Sequence, residues 1–169
     1  YAYHFDGYWK DVGTIPSLWE ANMEVLDPEH SGINLFDENW KIYSRNSGMT
    51  GHKISDGGVV ENSMITDGCR IAGTVRHSVL FAGVRVEKDA VVEDAVVMGG
   101  TVIRSGAVVR HCIVAENVEI GEHAVVGAMP DASGNGVATI GSGITIGAEA
   151  KIGPNAMVTK NIEGGEEQW

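Results

Sequence analysis

A six-residue period over most of the chain constrains its fold more than any other feature of the sequence. From Val59 onward an aliphatic residue recurs in series of six-residue steps, with slips in register between series, and a small or branched residue follows it four positions later. The period is clearest near the C-terminus, where Ile140, Ile146 and Ile152 each precede a glycine. A sandwich of alternating strands would instead show period two, with turn signals about every eight to twelve residues. The sequence therefore predicts a solenoid of short repeats.

The period also predicts which residues fill the interior. In a triangular coil of three six-residue edges, the aliphatic residue points inward and the small residue lies near a corner. We therefore expect a mainly β fold, a left-handed parallel β-helix of hexapeptide repeats with about five or six coils, whose register slips around residues 98–118. The predicted interior pairs are Val59 with Ser63, Ile65 with Cys69, Ile71 with Val75, Leu80 with Val84, Val86 with Ala90, Val92 with Val96, Met98 with Val102, Ile103 with Ala107, Val109 with Ile113, Val114 with Val118, Ile120 with Ala124, Ile140 with Ile144, Ile146 with Ala150 and Ile152 with Ala156.

A short helix and a linker are expected before the solenoid. Ser17 and Glu20 have the spacing of a capping box, and Pro16 suits a helix start. Residues 27–58 are rich in turn-forming types, so the predicted boundaries are 1–26 for the helical segment, 27–58 for the linker and 59–169 for the β-helix. Apolar residues at three- and four-residue intervals predict the buried face of the helix: Leu18, Trp19, Met23 and Leu26.

Aromatic residues are concentrated ahead of the repeats. After Tyr43 only Phe81 and Trp169 are aromatic, as expected if the interior accepts small and branched side chains alone. Within the linker we expect an apolar set to pack on a neighbouring surface: Leu35, Phe36, Trp40, Ile42 and Tyr43.

The charge of the chain argues against nucleic acid as a partner. The net charge is −11, from 12 basic and 23 acidic residues. Such a surface repels phosphate backbones, although a local arginine cluster could still hold a small anion.

The remaining composition favours a cytoplasmic protein. Cys69 and Cys112 lack metal-ligand spacing and are expected to be buried, unpaired thiols of a reducing compartment. We find neither an apolar run long enough for a membrane nor a signal peptide. The sequence starts at Tyr1, in the middle of a pattern, as a fragment or processed product would.

One segment near the N-terminus is a candidate for chemistry. Asp11 lies in a glycine-flanked turn between Gly7 and Thr14, ahead of the predicted helix. A carboxylate in such a turn can coordinate a hard cation such as Mg²⁺. It can equally accept backbone N–H bonds that stabilise the turn, and composition and spacing favour this second interpretation.

The segment and several later stretches resemble bacterial glucose-1-phosphate adenylyltransferase. The resemblance is carried by residues 5–15 (Phe-Asp-Gly-Tyr-Trp-Lys-Asp-Val-Gly-Thr-Ile), 18–23 (Leu-Trp-Glu-Ala-Asn-Met), 40–44 (Trp-Lys-Ile-Tyr-Ser) and 79–86 (Val-Leu-Phe-Ala-Gly-Val-Arg-Val). The last thirty or so residues are similar to hexapeptide proteins in general.

The resemblance implies an enzyme that makes ADP-glucose and pyrophosphate from ATP and glucose 1-phosphate for glycogen synthesis. In that family the Asp of the Trp-x-Asp-Val-Gly-Thr element is one of two carboxylates that hold Mg²⁺, and Asp11 occupies this position. The family's glycine-rich nucleotide loop, its first metal-binding Asp and its sugar-phosphate Lys are absent. We therefore expect the chain alone to be inactive.

The resemblance also implies regulation and assembly. In the family the β-helix packs on its own catalytic domain, contributes to a homotetramer or a heterotetramer with a paralogous subunit, and helps bind phosphorylated effectors. The effector residues cannot be assigned by resemblance. Five arginines on the coils could supply phosphate contacts, although ordinary surface charge is the favoured interpretation of any single one: Arg70, Arg76, Arg85, Arg104 and Arg110.

The principal alternative is a hexapeptide-repeat acyltransferase that uses acetyl-CoA. Such an enzyme needs a histidine base, and His111 and His123 are the candidates on the coils. We expect both to be solvated corner residues instead. A zinc hydratase on the same fold would need three convergent histidines, which the spacing of His77, His111 and His123 does not require.

Overall fold

The computed structural model describes residues 1–43, 46–132, 134 and 136–169. Its described part contains two helices, α1 (Ile15–Glu24) and α2 (Pro28–Ser31), and nineteen short strands. The strands form three sheets. The first contains β1 (Lys53–Ile54), β4 (Arg70–Ile71), β7 (Arg85–Val86), β10 (Val102–Ile103), β13 (Glu119–Ile120) and β16 (Thr145–Ile146). The second contains β2 (Val59–Glu61), β5 (Thr74–Arg76), β8 (Val91–Glu93), β11 (Val108–Arg110), β14 (Val125–Val126), β17 (Lys151–Ile152) and β19 (Glu167–Gln168). The third contains β3 (Met64–Ile65), β6 (Val79–Leu80), β9 (Val96–Val97), β12 (Cys112–Val114), β15 (Ala138–Ile140) and β18 (Met157–Val158).

The sheets are the three sides of a parallel β-helix. Each of the strands β1 to β15 pairs in parallel with the strand three positions later in the chain, as β4 does with β7 and β5 with β8, and β17 pairs with β19. The chain therefore advances by one level each time it completes the three sides. This arrangement confirms the predicted solenoid and its mainly β class. The solenoid begins earlier than the predicted Val59, since β1 already pairs with β4 and Lys53 N donates to Cys69 O at 2.8 Å.

The coil interior is aliphatic, as the period predicts. Ile71, Val86, Ile103 and Ile120 are buried in one column of the first sheet, and Ile146 continues it. The small or branched residues that follow interior aliphatic residues by four positions are buried in the same core: Val84, Ala90, Ala107, Val118, Ala124 and Ala150.

Four of the predicted interior pairs are wrong in register. Val60 rather than Val59 packs toward the core, and Ala95 and Cys112 take the places expected for Val96 and Ile113. At the Met98–Val102 pair, the residues in the interior are Val97 and Thr101 instead.

A tight corner between the second and third sheets explains the errors. One residue turns the chain there with a left-handed backbone in four successive coils: Asn62 (φ 39°), His77 (φ 41°), Asp94 (φ 58°) and His111 (φ 43°). At this corner the next interior residue comes three positions after the previous one instead of four, as Ala95 does after Val92. The side chains that follow on that edge therefore point to the opposite side from the one predicted.

A longer excursion leaves the solenoid between β14 and β15. Val125 and Lys151 are register partners although they are 26 positions apart, against 17 for Val108 and Val125. Glycine, asparagine and aspartate residues interrupt the six-residue period of the sequence over residues 127–139, and β15 resumes the ladder at Ala138. Ser133 and Asn135, within this excursion, lie outside the described residues.

The N-cap of helix α1 lies three residues before the predicted cap, Ser17. Its N-cap is Thr14, whose hydroxyl accepts from Ser17 N at 3.3 Å, while Ser17 Oγ accepts from Thr14 N at 3.1 Å. Ser17 is therefore the third helical residue and closes a capping box with Thr14, so the predicted box with Glu20 is wrong. Because Pro16 has no N–H to leave unsatisfied, it fits inside the first turn.

The apolar face of α1 covers the outside of the third sheet, as predicted for its buried side. Met23 is buried in a cluster with Val79, Val96 and Ile113, which follow one another in register on β6, β9 and β12. Leu18, Trp19 and Leu26 are partly buried against the same cluster.

The apolar set of the linker does not pack as predicted. Phe36 and Tyr43 are 75% and 85% exposed, and Leu35, Trp40 and Ile42 are exposed as well. The backbone here is satisfied by local turns, in which Asn34 Oδ1 accepts from Phe36 N at 2.9 Å and Asp37 Oδ1 accepts from Asn39 N at 2.8 Å. Such turns hold the chain without tertiary contacts. Ser44, the last residue of the 40–44 motif, lies outside the described residues.

Both cysteines are buried and unpaired, as predicted. Burial away from water raises the pKa of the Cys69 and Cys112 thiols, which keeps them protonated. Across the described ranges, no helix has the length and apolarity needed to cross a membrane.

The coil register can be tested with two substitutions on one strand. Ile146 is fully buried, whereas its neighbour Thr145 is exposed. Ile146→Asp should unfold the coils around β16, because an unpaired buried carboxylate costs several kcal/mol. Thermal melts followed by circular dichroism should show a large loss for Ile146→Asp and little change for Thr145→Asp. Equal melting temperatures for the two variants would contradict the register.

Candidate functional site

The predicted metal ligand Asp11 lies in an exposed turn before α1. Its Oδ1 atom accepts a hydrogen bond from Gly13 N at 2.9 Å. This is the contact that the turn interpretation of Asp11 requires, and it leaves the second carboxylate oxygen without a hydrogen bond within the described residues.

The residues beside Asp11 attach its segment to α1. Lys10 Nζ donates to Glu24 Oε1 at 2.6 Å and to Glu20 Oε2 at 3.1 Å, and Tyr8 donates its hydroxyl to Glu24 Oε2 at 2.6 Å. The hydrogen bond from Lys10, followed by that from Tyr8, lowers the pKa of Glu24. These contacts hold the segment that carries Asp11 against the second half of the helix.

Asp11 belongs to no metal-binding cluster in the described part of the chain. Among the residues that the structure describes, no group of three His, Cys, Asp or Glu side chains could hold a metal ion. Mg²⁺ is commonly bound by one or two carboxylates together with substrate phosphates. Asp11 can supply one such ligand, and its role as a metal ligand stays a prediction.

Three of the five candidate arginines are neutralised by carboxylates of neighbouring coils. Arg76 Nε lies 2.7 Å from Glu61 Oε2, and Arg110 Nε lies 3.1 Å from Glu93 Oε2. These residues alternate in one column of the second sheet, in the order Glu61, Arg76, Glu93 and Arg110.

The third neutralised arginine sits on another side of the solenoid. Arg104 contacts Glu87 and Glu119, each at 2.8 Å. Cross-strand pairs of opposite charge stabilise a sheet, so all three arginines have a structural role.

The other two arginines, Arg70 and Arg85, line a shared groove of about 590 Å³ on the first sheet. In the described part of the chain, neither side chain has a hydrogen bond or an ion pair. We call this feature the arginine groove; its lining residues are Gly48, Met49, Thr50, Gly68, Arg70, Gly83, Arg85, Gly100 and Val102.

Two of the three candidate histidines form a hydrogen-bonded column at the tight corner. His77 and His111 both donate from Nδ1 to the Asp94 carboxylate between them, with His111 at 3.2 Å from Oδ2. Trp19 of α1 donates from Nε1 to the Asp94 carbonyl at 2.8 Å, and its ring lies edge-on to His111 with centroids 4.6 Å apart. The column therefore attaches α1 to the solenoid.

This geometry changes the expectation for His111. The sequence predicted a solvated corner residue, but His111 is 6% exposed and wedged between Trp19 and Asp94. Trp19 was predicted only as part of an apolar face, and Asp94 was not predicted at all. No local signal identifies the column, because its members are brought together by coil register and helix docking.

His123 takes no part in the column. It occupies a separate corner with φ 58°, where its ring lies against Gly106. The three histidines therefore do not converge, and no metal-binding group of three is found over residues 1–43, 46–132, 134 and 136–169.

Comparison with known proteins identifies the family of the solenoid. The profile of a family described as "GlmU-like, C-terminal hexapeptide" matches residues 49–147, which is more than half of the chain. The chain belongs to this hexapeptide family. The match begins just before β1, in agreement with a solenoid that starts ahead of Val59.

Several proteins with sequences similar to this chain are named as one enzyme. Glucose-1-phosphate adenylyltransferase of Bacillus mycoides (strain KBAB4) is 56% identical over 99 residues, which cover 59% of this chain and 26% of that protein. The protein of the same name from Bacillus anthracis is 54% identical over the same extent. These relatives confirm the predicted resemblance. The chain spans about a quarter of their length, 26%.

One solved structure is also similar to this chain. It is the acetyltransferase domain of PglB from Neisseria gonorrhoeae FA1090, with 24% sequence identity and a TM-score of 0.34. The matched region covers 68% of this chain and 52% of the PglB chain. At that score the likeness carries no argument about function.

Attachment of α1 through Trp19 can be tested with a conservative change. Trp19→Phe keeps an aromatic ring but removes the donor to the Asp94 carbonyl, which should cost about 1 kcal/mol. Hydrogen exchange should accelerate in α1 while the coil amides stay protected. Trp9→Phe is the matched control, because Trp9 is 76% exposed. Equal exchange in the two variants would show that Trp19 does not hold the helix.

Proposed function

We propose that this chain is the C-terminal regulatory and oligomerisation part of a glucose-1-phosphate adenylyltransferase. The observation that carries the proposal is the 54–56% identity over 99 residues to proteins of that name. The parent enzyme would join ATP and glucose 1-phosphate to give ADP-glucose and pyrophosphate for glycogen synthesis. The chain is then a domain that holds and controls the catalytic part, in the cytoplasm, where buried free thiols such as Cys112 stay reduced.

In the proposed reaction a phosphate oxygen of glucose 1-phosphate attacks the α-phosphorus of ATP, and pyrophosphate leaves. Mg²⁺, when bound, would neutralise the phosphate charge during this displacement. Asp11 is proposed as one of its two carboxylate ligands in the parent enzyme. Its exposed position and its free oxygen support this role, and its bond to Gly13 N orients the carboxylate.

The assembly role is supported by exposed apolar side chains ahead of the solenoid. Trp9, Phe36, Trp40 and Tyr43 present large apolar surfaces to solvent in the isolated chain. Large exposed apolar patches mark surfaces that a partner covers. The proposed partners are the catalytic part of the parent subunit and further subunits of a homotetramer, or of a heterotetramer with a paralogous subunit.

The alternative function, an acyltransferase that uses acetyl-CoA, is not favoured by any described contact. Its base would have to be reachable by an acceptor. His111 is buried behind Trp19, and the exposed His123 has no side-chain hydrogen bond among the described residues that would orient it as a base. We therefore do not propose it.

The activity of the chain alone separates these two functions. Incubation with ATP, Mg²⁺ and glucose 1-phosphate should release no pyrophosphate above background, because the nucleotide loop and the sugar site are absent from its sequence. Acetyl-CoA with sugar or amine acceptors should likewise give no acetylated product. The longer enzyme should release pyrophosphate and form ADP-glucose in the same assay.

Two outcomes would contradict the proposal. Steady pyrophosphate release by the chain alone would mean that it contains a complete active site. Acetyl transfer would favour the acyltransferase instead.

The role of Asp11 can be tested in the longer enzyme. Asp11→Asn keeps the shape and the bond to Gly13 N but removes a negative charge, so turnover should fall by about a hundredfold or more. Asp6→Asn is the control, because Asp6 is an exposed acid of the same segment. Turnover and melting temperature should be measured on the same preparations.

The turn interpretation predicts a different pair of results. Turnover per folded molecule would be kept in Asp11→Asn, and stability would fall by about 1 kcal/mol only in Asp11→Ala, which removes the acceptor for Gly13 N. Near-normal turnover in Asp11→Asn would remove Asp11 from the metal site.

A further inference from the structure

We propose that Glu24, the last residue of α1, is a positioning residue for Asp11, which it orients through Lys10 and Tyr8. The inference deepens the proposed function and rests on it, because Asp11 is the metal ligand proposed for the parent enzyme. Glu24 itself would touch neither the metal nor a substrate.

The hydrogen bonds of the N-terminal segment converge on Glu24. Among residues 1–14 only Tyr8 and Lys10 are partly buried, and all the others are exposed. Both of these side chains donate to Glu24, each at 2.6 Å. Within the described part of the chain, the segment ahead of α1 has one further side-chain hydrogen bond to the helix beyond its cap, from Lys10 to Glu20 at 3.1 Å. Glu24 is therefore the main polar attachment of the segment.

The two oxygens of Glu24 fix the direction of the chain as well as its place. Oε1 accepts from Lys10 and Oε2 accepts from Tyr8, so one carboxylate holds two side chains that are two positions apart. Asp11 follows Lys10 directly, and its own bond to Gly13 N closes the turn at 2.9 Å. The backbone of Asp11 therefore lies between an anchored lysine and the capped start of α1, and this limits the directions in which its carboxylate can point.

Glu24 can serve as a fixed point because α1 is attached to the solenoid. Met23, the preceding residue, is 7% exposed and packs on the third sheet. Trp19 adds its hydrogen bond to the Asp94 carbonyl at 2.8 Å. A helix held in this way positions a functional side chain more precisely than a loop does. The position of Asp11 is thus set from the coils, through α1.

Glu24 also keeps the ammonium group of Lys10 away from Asp11. The lysine is adjacent to Asp11 in sequence, yet its ammonium pairs with Glu24 and Glu20. Asp11 has no ion pair among the residues that the structure describes. A released ammonium would be attracted by the neighbouring carboxylate and would offset the negative charge that binds a cation. The arrangement therefore leaves the full charge of Asp11 available to a metal.

These contacts predict an effect on metal binding and little effect on folding. Loss of a residue that orients a metal ligand typically costs about tenfold to a hundredfold in metal affinity or activity. The Glu24 side chain is 30% exposed and lies outside the coil interior, so the solenoid does not depend on it. We therefore expect a Glu24 variant to keep its melting temperature and to need more Mg²⁺.

The experiment uses the longer enzyme with Glu24→Gln. The amide keeps the size of the side chain, but it offers one oxygen to two donors and has no charge. The Mg²⁺ concentration that gives half-maximal ADP-glucose formation at fixed ATP should rise about tenfold. Glu29→Gln is the matched control, because Glu29 is an exposed acid of α2 whose side chain has no hydrogen bond or ion pair within the described residues.

A second measurement needs no turnover. Mn²⁺ binding to the enzyme with a non-hydrolysable ATP analogue can be followed by electron paramagnetic resonance. Glu24→Gln should weaken this binding about tenfold, and Glu29→Gln should leave it unchanged. A purely structural role of Glu24 would lower the melting temperature and the amount of active enzyme without changing the Mn²⁺ affinity.

A double variant tests whether Glu24 acts through Lys10. Lys10→Met alone should also raise the Mg²⁺ requirement, because it removes one of the two anchored side chains. Lys10→Met combined with Glu24→Gln should need no more Mg²⁺ than Glu24→Gln alone, since changes to the two ends of one contact are not additive. Fully additive effects would show that Glu24 acts by another route and would overturn the inference.

The remaining outcomes separate this inference from the proposed function. If the unaltered enzyme forms ADP-glucose but Glu24→Gln and Glu29→Gln have the same Mg²⁺ requirement, the inference is wrong and the proposed function stands. A lower melting temperature of Glu24→Gln with unchanged Mn²⁺ affinity would have the same meaning. If the unaltered enzyme forms no ADP-glucose, the proposed function is wrong and this inference falls with it.

Discussion

Parallel main-chain hydrogen bonds between successive coils are the interaction on which the rest of the structure depends. Each strand has only two or three residues, too few to be stable alone, and gains its order from the strands above and below it in the same sheet. The interior side chains are held at the same level by this ladder, as Ile71, Val86 and Ile103 are. Because each coil pairs only with the coils next to it, the stability of the solenoid is built up one level at a time.

The same ladder explains how much of the fold could be predicted. The six-residue period identifies the solenoid and most of its interior, since Ile140, Ile146 and Ile152 occupy the predicted positions. The period does not reveal the corners, where a single left-handed residue such as His77 or Asp94 shortens the step and changes which side chain points inward. Those residue types are common on any surface, so their backbone conformation is fixed by the stacking of coils.

The candidate sites also include some that the sequence could predict and some that it could not. Asp11 could be singled out because its motif is contiguous in sequence, although its hydrogen bond to Gly13 N shows only a well-formed turn. The arginines could not be separated by sequence, because their partners lie about one coil away. Only the register shows that Arg76 faces carboxylates whereas Arg70 faces Arg85. The attachment of α1 through Trp19 and Asp94 depends on both register and docking, and no sequence pattern encodes it.

The excursion between β14 and β15 has a consequence for how such a protein can change. Its coil spans 26 positions, against 17 for the coil from Val108 to Val125, yet the pairing of Val126 with Ile152 and of Val114 with Ile140 continues across it. Extra residues inserted at a corner point away from the prism and leave the rungs on either side in register. Corners are therefore the places where evolution or an engineer can graft a new loop onto the scaffold, whereas an insertion within a strand would move every later residue from one face to the other.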